Sequence, residues 1–348
     1  MLERLPTGPP SAGRGGRAVA LLGCALPDST LAAWEERLVF DPEPLFLSEG
    51  DVALLPAGTL VRSREEFRED FASAPLDLRD TYRTYAVDAR ADRVALVGAS
   101  QLAALPVRTW RRLAALQGRL GRGQIYEWAF AARVLGGFPA ALRLLEGCSF
   151  FADGQRRLVL RHDAWWALAP DARRAWLLAF AGDGQVPCLS SRMSDAVWQG
   201  IARSVGPSVR MLAGTFAERS GPNCFATVLA GLTADPAAAR PVSTLWLHVA
   251  PFLRALAALG YTRRTLEADP ADVPAGAVLG WEDGDGGLRH AALCLGDGLA
   301  LNKDAQVWWA PRQVRRLDDL VADWGTRGTP VVFAGPTAQG EAAAGSDR

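Results

Sequence analysis

The chain is nearly without lysine. Of its 38 basic residues 37 are arginine, and the one lysine is Lys303. This bias reads as that of a GC-rich genome, so arginine runs carry less meaning than usual. Net charge is lacking too, with 38 basic against 38 acidic residues. A polyanion partner therefore has no bulk electrostatic support. Arg108, Arg111, Arg112, Arg119 and Arg122 read as a solvated helix face, and no nucleic-acid partner is expected. No apolar run approaches the roughly 18 residues of a membrane span, so none is expected. The five cysteines, Cys24, Cys148, Cys188, Cys224 and Cys294, are scattered and odd in number. No zinc spacing or disulfide framework appears among them, so neither metal nor cofactor is expected and a reducing compartment is the default.

Near the N-terminus, Arg14 and Arg17 precede Ala-Val-Ala-Leu-Leu-Gly-Cys24, which imitates a lipoprotein signal. Its apolar core is shorter than the roughly 7–15 residues of a signal peptide. A buried strand over 17–24 and a cytoplasmic location are therefore expected, with export through a lipobox at Cys24 left open.

At 348 residues the chain has room for two cores. Pro- and Gly-rich stretches at 1–17 and 336–348 read as disordered tails. Residues 18–185 read as a mixed α/β region: short apolar strands at 17–24 and 93–98, a hairpin over 44–62, and a Ser63-Arg-Glu-Glu66 capping box opening a helix. Helical patterns follow at 106–120, 124–136 and 163–181. Asp163 reads as a helix cap beside a surface His162, and His248 as a core histidine in an apolar helix. From 186 to 335 helices come first, at 194–203, 207–218, from Cys224 and at 243–259. Strands follow at 261–266, 276–282, 288–295, 299–303 and 306–311, then a helix at 314–324 and a strand at 329–334. The class is α+β.

Chemistry concentrates in three residues of the last part. Cys224 follows Gly221-Pro222-Asn223, and Asn223 is a plausible N-cap. Cys224 then sits in the first helical turn, where the helix dipole lowers a thiol pKa. His290 opens the run His-Ala-Ala-Leu-Cys-Leu-Gly-Asp-Gly-Leu-Ala-Leu-Asn302-Lys303, a hairpin. A two-residue Asp297-Gly298 turn puts His290 and Asn302 on opposite faces. A three-residue Gly296-Asp297-Gly298 loop makes them diagonal neighbours on one face, and Gly298 suits its left-handed position. Thiolate, imidazole and an orienting amide are the parts of a thiol hydrolase. By alternation Lys303 points away from Asn302 and takes no part in catalysis. Cys294 shares the strand face of His290 but sits among apolar neighbours, where a thiol is inert.

The segment Asp272-Val-Pro-Ala-Gly-Ala-Val278, the hairpin from His290 and the polar residue 12 positions later resemble the NlpC-type cysteine peptidases of the papain-like superfamily, over about residues 190–334. That resemblance implies cleavage of an amide or peptide bond, usually in bacterial cell-wall peptides, with Cys224 as nucleophile, His290 as base and Asn302 as the third residue. At the nucleophile the family's usual Asp-Cys-Ser-Gly is Asn-Cys-Phe-Ala here. Trp281, Trp308 and Trp309 are expected to wall the cleft and bind substrate. Acyl transfer or deamidation by the same acyl-enzyme, and a non-catalytic binding module, are the competing readings.

Overall fold

The computed structural model describes residues 18–70, 75–266, 269 and 272–336; the expected tails lie outside them apart from Pro336. The architecture is α+β, and every sheet is antiparallel. A hairpin of β1 (Ala18–Leu21) and β2 (Cys24–Pro27) stands where one strand was expected. β3 (Glu43–Leu47), β4 (Val61–Ser63) and β5 (Arg93–Val97) form a sheet in the order β3-β5-β4. The expected 44–62 hairpin is thus split, with β5 inserted between its arms. β5 takes the centre: Val94, Ala95 and Val97 give an apolar strand that pairs with the buried run Leu45–Leu47 on one edge and with the half-buried β4 on the other. β6 (Ile125–Glu127), β7 (Ser149–Ala152) and β8 (Gln155–Val159) make a third sheet.

Local signals hold where they are strongest. Ser63 and Glu66 exchange both capping bonds, the Ser63 amide to Glu66 Oε2 at 2.7 Å and the Glu66 amide to Ser63 Oγ at 3.1 Å. The helix expected at 163–181 breaks into His162–Ala167 and Pro170–Gly182, because a proline starts a helix more readily than it continues one. Asp163 pairs with Arg161 instead of capping. The helix expected at 243–259 is likewise shortened to Val249–Ala258, preceded by Pro236–Val242.

The C-terminal sheet holds six strands in the order β13-β12-β11-β10-β14-β9. These are β9 (Thr262–Thr265), β10 (Val278–Glu282), β11 (Leu288–Gly296), β12 (Leu299–Asn302), β13 (Gln313–Arg316) and β14 (Thr329–Ala334). The expected strand at 306–311 is a loop, and the pairing it was to supply comes from β13. Helix Cys224–Leu232 covers one face, over Ala291, Leu293 and Leu301, while helix Leu317–Gly325 covers the other, over Ala292, Cys294 and Ala300. Gly231 permits the first packing: a Cβ there would lie 2.5 Å from Leu293 Cδ2.

One apolar core runs from Cys24 and Trp34 through Trp176 to Val228, Leu293 and Phe333, so the packing is continuous across residue 185. Trp34 Nε1 donates to Ala217 O at 2.8 Å, and its ring meets Trp308 at 4.7 Å.

Candidate functional site

Asn223 caps the Cys224 helix: its Oδ1 accepts from the Ala226 amide at 3.1 Å, and its Nδ2 donates to Leu247 O at 2.7 Å. Cys224 is therefore the first residue of the helix, as the sequence suggested.

The hairpin reaches the expected result by another turn. Asp297 and Gly298 both have positive φ, 51° and 66°, the pattern of a two-residue type I′ turn. That turn alone would separate His290 from Asn302. The register, however, shifts between Cys294 and Gly296, so that Gly296 faces Leu299 while Leu293 still faces Leu301. A bulge at Leu295 thus restores the shared face. His290 Nε2 lies 2.7 Å from Asn302 Oδ1. Asn302 Nδ2 donates to Asp304 Oδ1 at 2.7 Å, which fixes the amide with its oxygen toward the imidazole. The Nε2 then carries the proton, and Nδ1 is the basic nitrogen.

His290 projects to the face of helix Leu317–Gly325, where its ring stacks on Trp324 at 3.8 Å and 2°. Cys224 belongs to the helix on the other face, and the strand end joins the two. The Cys294 amide donates to Ala277 O on the β10 side, so by alternation the Ala291 amide points to the β12 side. There β12 ends at Asn302. The Cys224 sulfur lies near enough to this gap for the Ala291, Phe225 and Cys224 amides to favour its thiolate. Cys224 and His290 both line one cavity of about 400 Å³.

Electrostatics departs from the helix-end expectation. Burial pushes the Cys224 thiol up to about 11, outweighing the three amides and the charge of Lys303. Burial also pushes His290 down to about 4, against the opposing bond from Asn302 and the charge of Asp304. The resting pair is a neutral thiol and a neutral imidazole.

Lys303 lies beyond the end of β12, fully buried, on the side of the Cys224 helix. Its Nζ donates to Ala305 O at 2.7 Å, Val307 O at 2.9 Å and Ala310 O at 2.6 Å. It pins the loop that floors the cavity, and it is a basic group on the thiol's side of the sheet. Burial holds its pKa well below the ordinary lysine value.

None of the three expected tryptophans lines the cavity. Trp281 supports His290 from behind, with ring centroids 5.4 Å apart. Trp308 is core, and Trp309 packs on Phe180 at 5.1 Å. The aromatic wall is instead Tyr85, Phe225, Trp246 and Trp324. His248, expected in the core, is exposed at the rim beside Trp246, 4.6 Å between rings. It sits at the N-cap position of its helix, where the chain has not yet turned inward.

The N-terminal region contributes what sequence reasoning missed. Helix Leu76–Thr81 places Asp77 against the Ser220 amide at 2.6 Å and Asp80 against Gln306 Nε2 at 3.0 Å, and Asp80 lines the cavity with Tyr85. Burial raises both carboxyl pKa values. No local pattern marks these two residues. Asp304, two residues after Asn302, was within reach of a spacing argument.

Among the described residues no group of three or more His, Cys, Asp or Glu could hold a metal ion, and no helix is long and apolar enough to cross a membrane. No family model, curated protein or solved structure matches the chain.

Proposed function

We propose that the protein is a thiol hydrolase of papain-like, NlpC-type architecture that cleaves an amide or peptide bond. The observation that carries the reading is a helix-N-terminal cysteine opening onto the same cavity as a histidine whose tautomer is set by Asn302 and Asp304. His290 Nδ1 takes the thiol proton as Cys224 Sγ attacks the carbonyl carbon. The oxyanion then faces the unpaired amides of the first helical turn, with the Cys224 N–H foremost. The imidazolium returns its proton to the departing amine, and water releases the acyl group by the same route.

In the resting protein burial favours the neutral form of both groups, and a bound substrate has to narrow the gap between them before the proton moves. A base near pKa 4 and a thiol near 11 do not form a standing ion pair, so proton transfer accompanies attack. The test is mass-spectrometric mapping of the protein treated with a chloroacetamide probe, alongside hydrolysis of a peptide and amide panel with and without an added amine. Labelling of Cys224 and release of free acid support hydrolysis. Transfer of the acyl group to the amine redirects the reading to an acyltransferase. No turnover in wild type, together with no labelling of Cys224, leaves a binding module.

A further inference from the structure

Outside this cavity, two of the remaining cysteines meet. Cys24 opens β2, while Cys188 lies in the segment that hands the chain from helix Pro170–Gly182 to the C-terminal part, and each is 1 % exposed. The turn just before Cys24 touches Cys188: the Cys188 amide donates to Leu22 O at 2.7 Å, and a Cβ at Gly23 would come within 2.7 Å of Cys188 O.

Donors converge on the Cys188 sulfur. The Val314 amide donates to it at 3.3 Å, Ser190 Oγ lies 3.0 Å away, and the Cys24 thiol is close enough to shift its acidity. A thiol sulfur is a poor acceptor, whereas a thiolate is a good one. The Val314 amide donates to this buried sulfur and the Ser190 hydroxyl can rotate to donate as well, surroundings that suit a thiolate. The acidities agree: Cys188 is lowered to about 6, first by the Cys24 thiol, while Cys24 is raised, first by its bond to Cys188. Burial pushes Cys148 and Cys224 up to about 11 and Cys294 up to about 12, so those three stay thiols at neutral pH.

We propose that Cys188 and Cys24 form an oxidisable pair, in which Cys188 attacks hydroperoxides and Cys24 resolves the product as a disulfide. In the first step the Cys188 thiolate attacks one peroxide oxygen. The S–O bond forms, the O–O bond breaks, and the departing alkoxide or hydroxide takes a proton from solvent. The sulfur is oxidised by two electrons to a sulfenic acid, and the peroxide is reduced. In the second step Cys24 gives up its proton and attacks that sulfur. The S–S bond forms, the S–O bond breaks, and hydroxide leaves as water with the released proton. The net change is two thiols and one hydroperoxide to one disulfide, one alcohol and one water.

The link has a structural consequence. It joins the N-terminal hairpin to the segment beside β13, whose Val314 already holds both Cys188 Sγ and the Leu189 amide. Oxidation would therefore cross-link the hairpin to the sheet that carries His290 and Asn302.

The experiment treats reduced, full-length protein with stoichiometric hydrogen peroxide at pH 7. The remaining thiols are then alkylated under denaturing conditions, and the peptides are mapped. Two of the five thiols should disappear, in a Cys24–Cys188 cross-linked peptide that dithiothreitol reverses. The melting temperature should rise by several degrees, because the cross-link closes a long loop. In Cys24→Ser, dimedone should trap a sulfenic acid on Cys188, and in Cys188→Ser the same dose should leave Cys24 reduced. The Cys224→Ala variant should still cross-link, which separates this chemistry from the hydrolase site. Retention of both thiols while another cysteine consumes the peroxide would overturn the proposal, as would a Cys188 bridge to a different cysteine. Should Cys24→Ser fail to fold, the wild-type peptide map decides alone.

Discussion

At the scale of single residues, the site rests on a chain of hydrogen bonds that begins at Asp304 and ends at the imidazole. Asn302 orients His290 only because Asp304 orients Asn302. Asn302→Ala should lower kcat/KM on the order of 10–100-fold, since it removes orientation without removing the base. His290→Ala should approach the complete loss expected of Cys224→Ala, because the two act as a unit and their losses do not add. Cys294→Ser should retain activity, since that thiol is fully buried on the other face of the sheet from the Cys224 helix and burial raises it to about 12. An active Cys224→Ser paired with a dead Cys294→Ser would move the nucleophile to the other sulfur. The thiol acidity is checked separately. Alkylation of Cys224 in the resting protein should rise about tenfold per pH unit up to about pH 11, following its thiolate fraction.

At the scale of elements, the cap of the nucleophile helix is the informative place. Asn223 satisfies one end amide and ties the helix start to Leu247. Asn223→Ala should cost about 1 kcal/mol in chemical denaturation, and Asn223→Asp, which keeps the accepting oxygen, should cost less. The hairpin shows how far element-level reading goes. Alternation places His290 on the face of Ala292 and Cys294, and this held. The loop length did not: the observed turn is two residues, and a bulge at Leu295 supplies the missing offset. A bulge depends on which strands flank the pair and is not written in the turn residues. The same holds for β3 and β4, whose separation by β5 is a competition among apolar strands that local pattern does not rank.

At the scale of the whole molecule, the site is shared between the two halves of the chain. Asp80 and Tyr85 reach the cavity from the N-terminal region, and Trp34 is packed under Trp308. A fragment of residues 186–335 should therefore lose cooperative unfolding in calorimetry, because the core it shares with Trp34 and Trp176 is left uncovered. Cooperative unfolding of that fragment near the full-length melting temperature would show that the boundary is real. Acid sensitivity belongs to this scale too. His290 has its folded pKa depressed from 6.5 to about 4, so between these values the unfolded chain binds more protons. Stability should be full above pH 6.5 and fall as pH drops toward 4, by up to about 3 kcal/mol. His290→Gln, which has no titrating group, should flatten that part of the stability-pH curve.

The sequence by itself determined the α+β class, the capped Cys224 helix, and a hairpin holding His290 and Asn302 twelve positions apart. Each of these depends on neighbours within a few turns or one strand pair, where a cap, a period of two or a glycine in a tight turn acts alone. Only the tertiary structure decided the rest. It raised the thiol pKa at a helix end that favours thiolate, because burial outweighed the dipole. It turned Trp281 and Trp308 into support and core, and placed Trp246, Trp324 and Tyr85 at the cavity instead. It brought Cys24 against Cys188 across 164 positions of sequence. Burial, desolvation and contacts between distant segments are properties of the packed molecule, and no local stretch of this chain carries them.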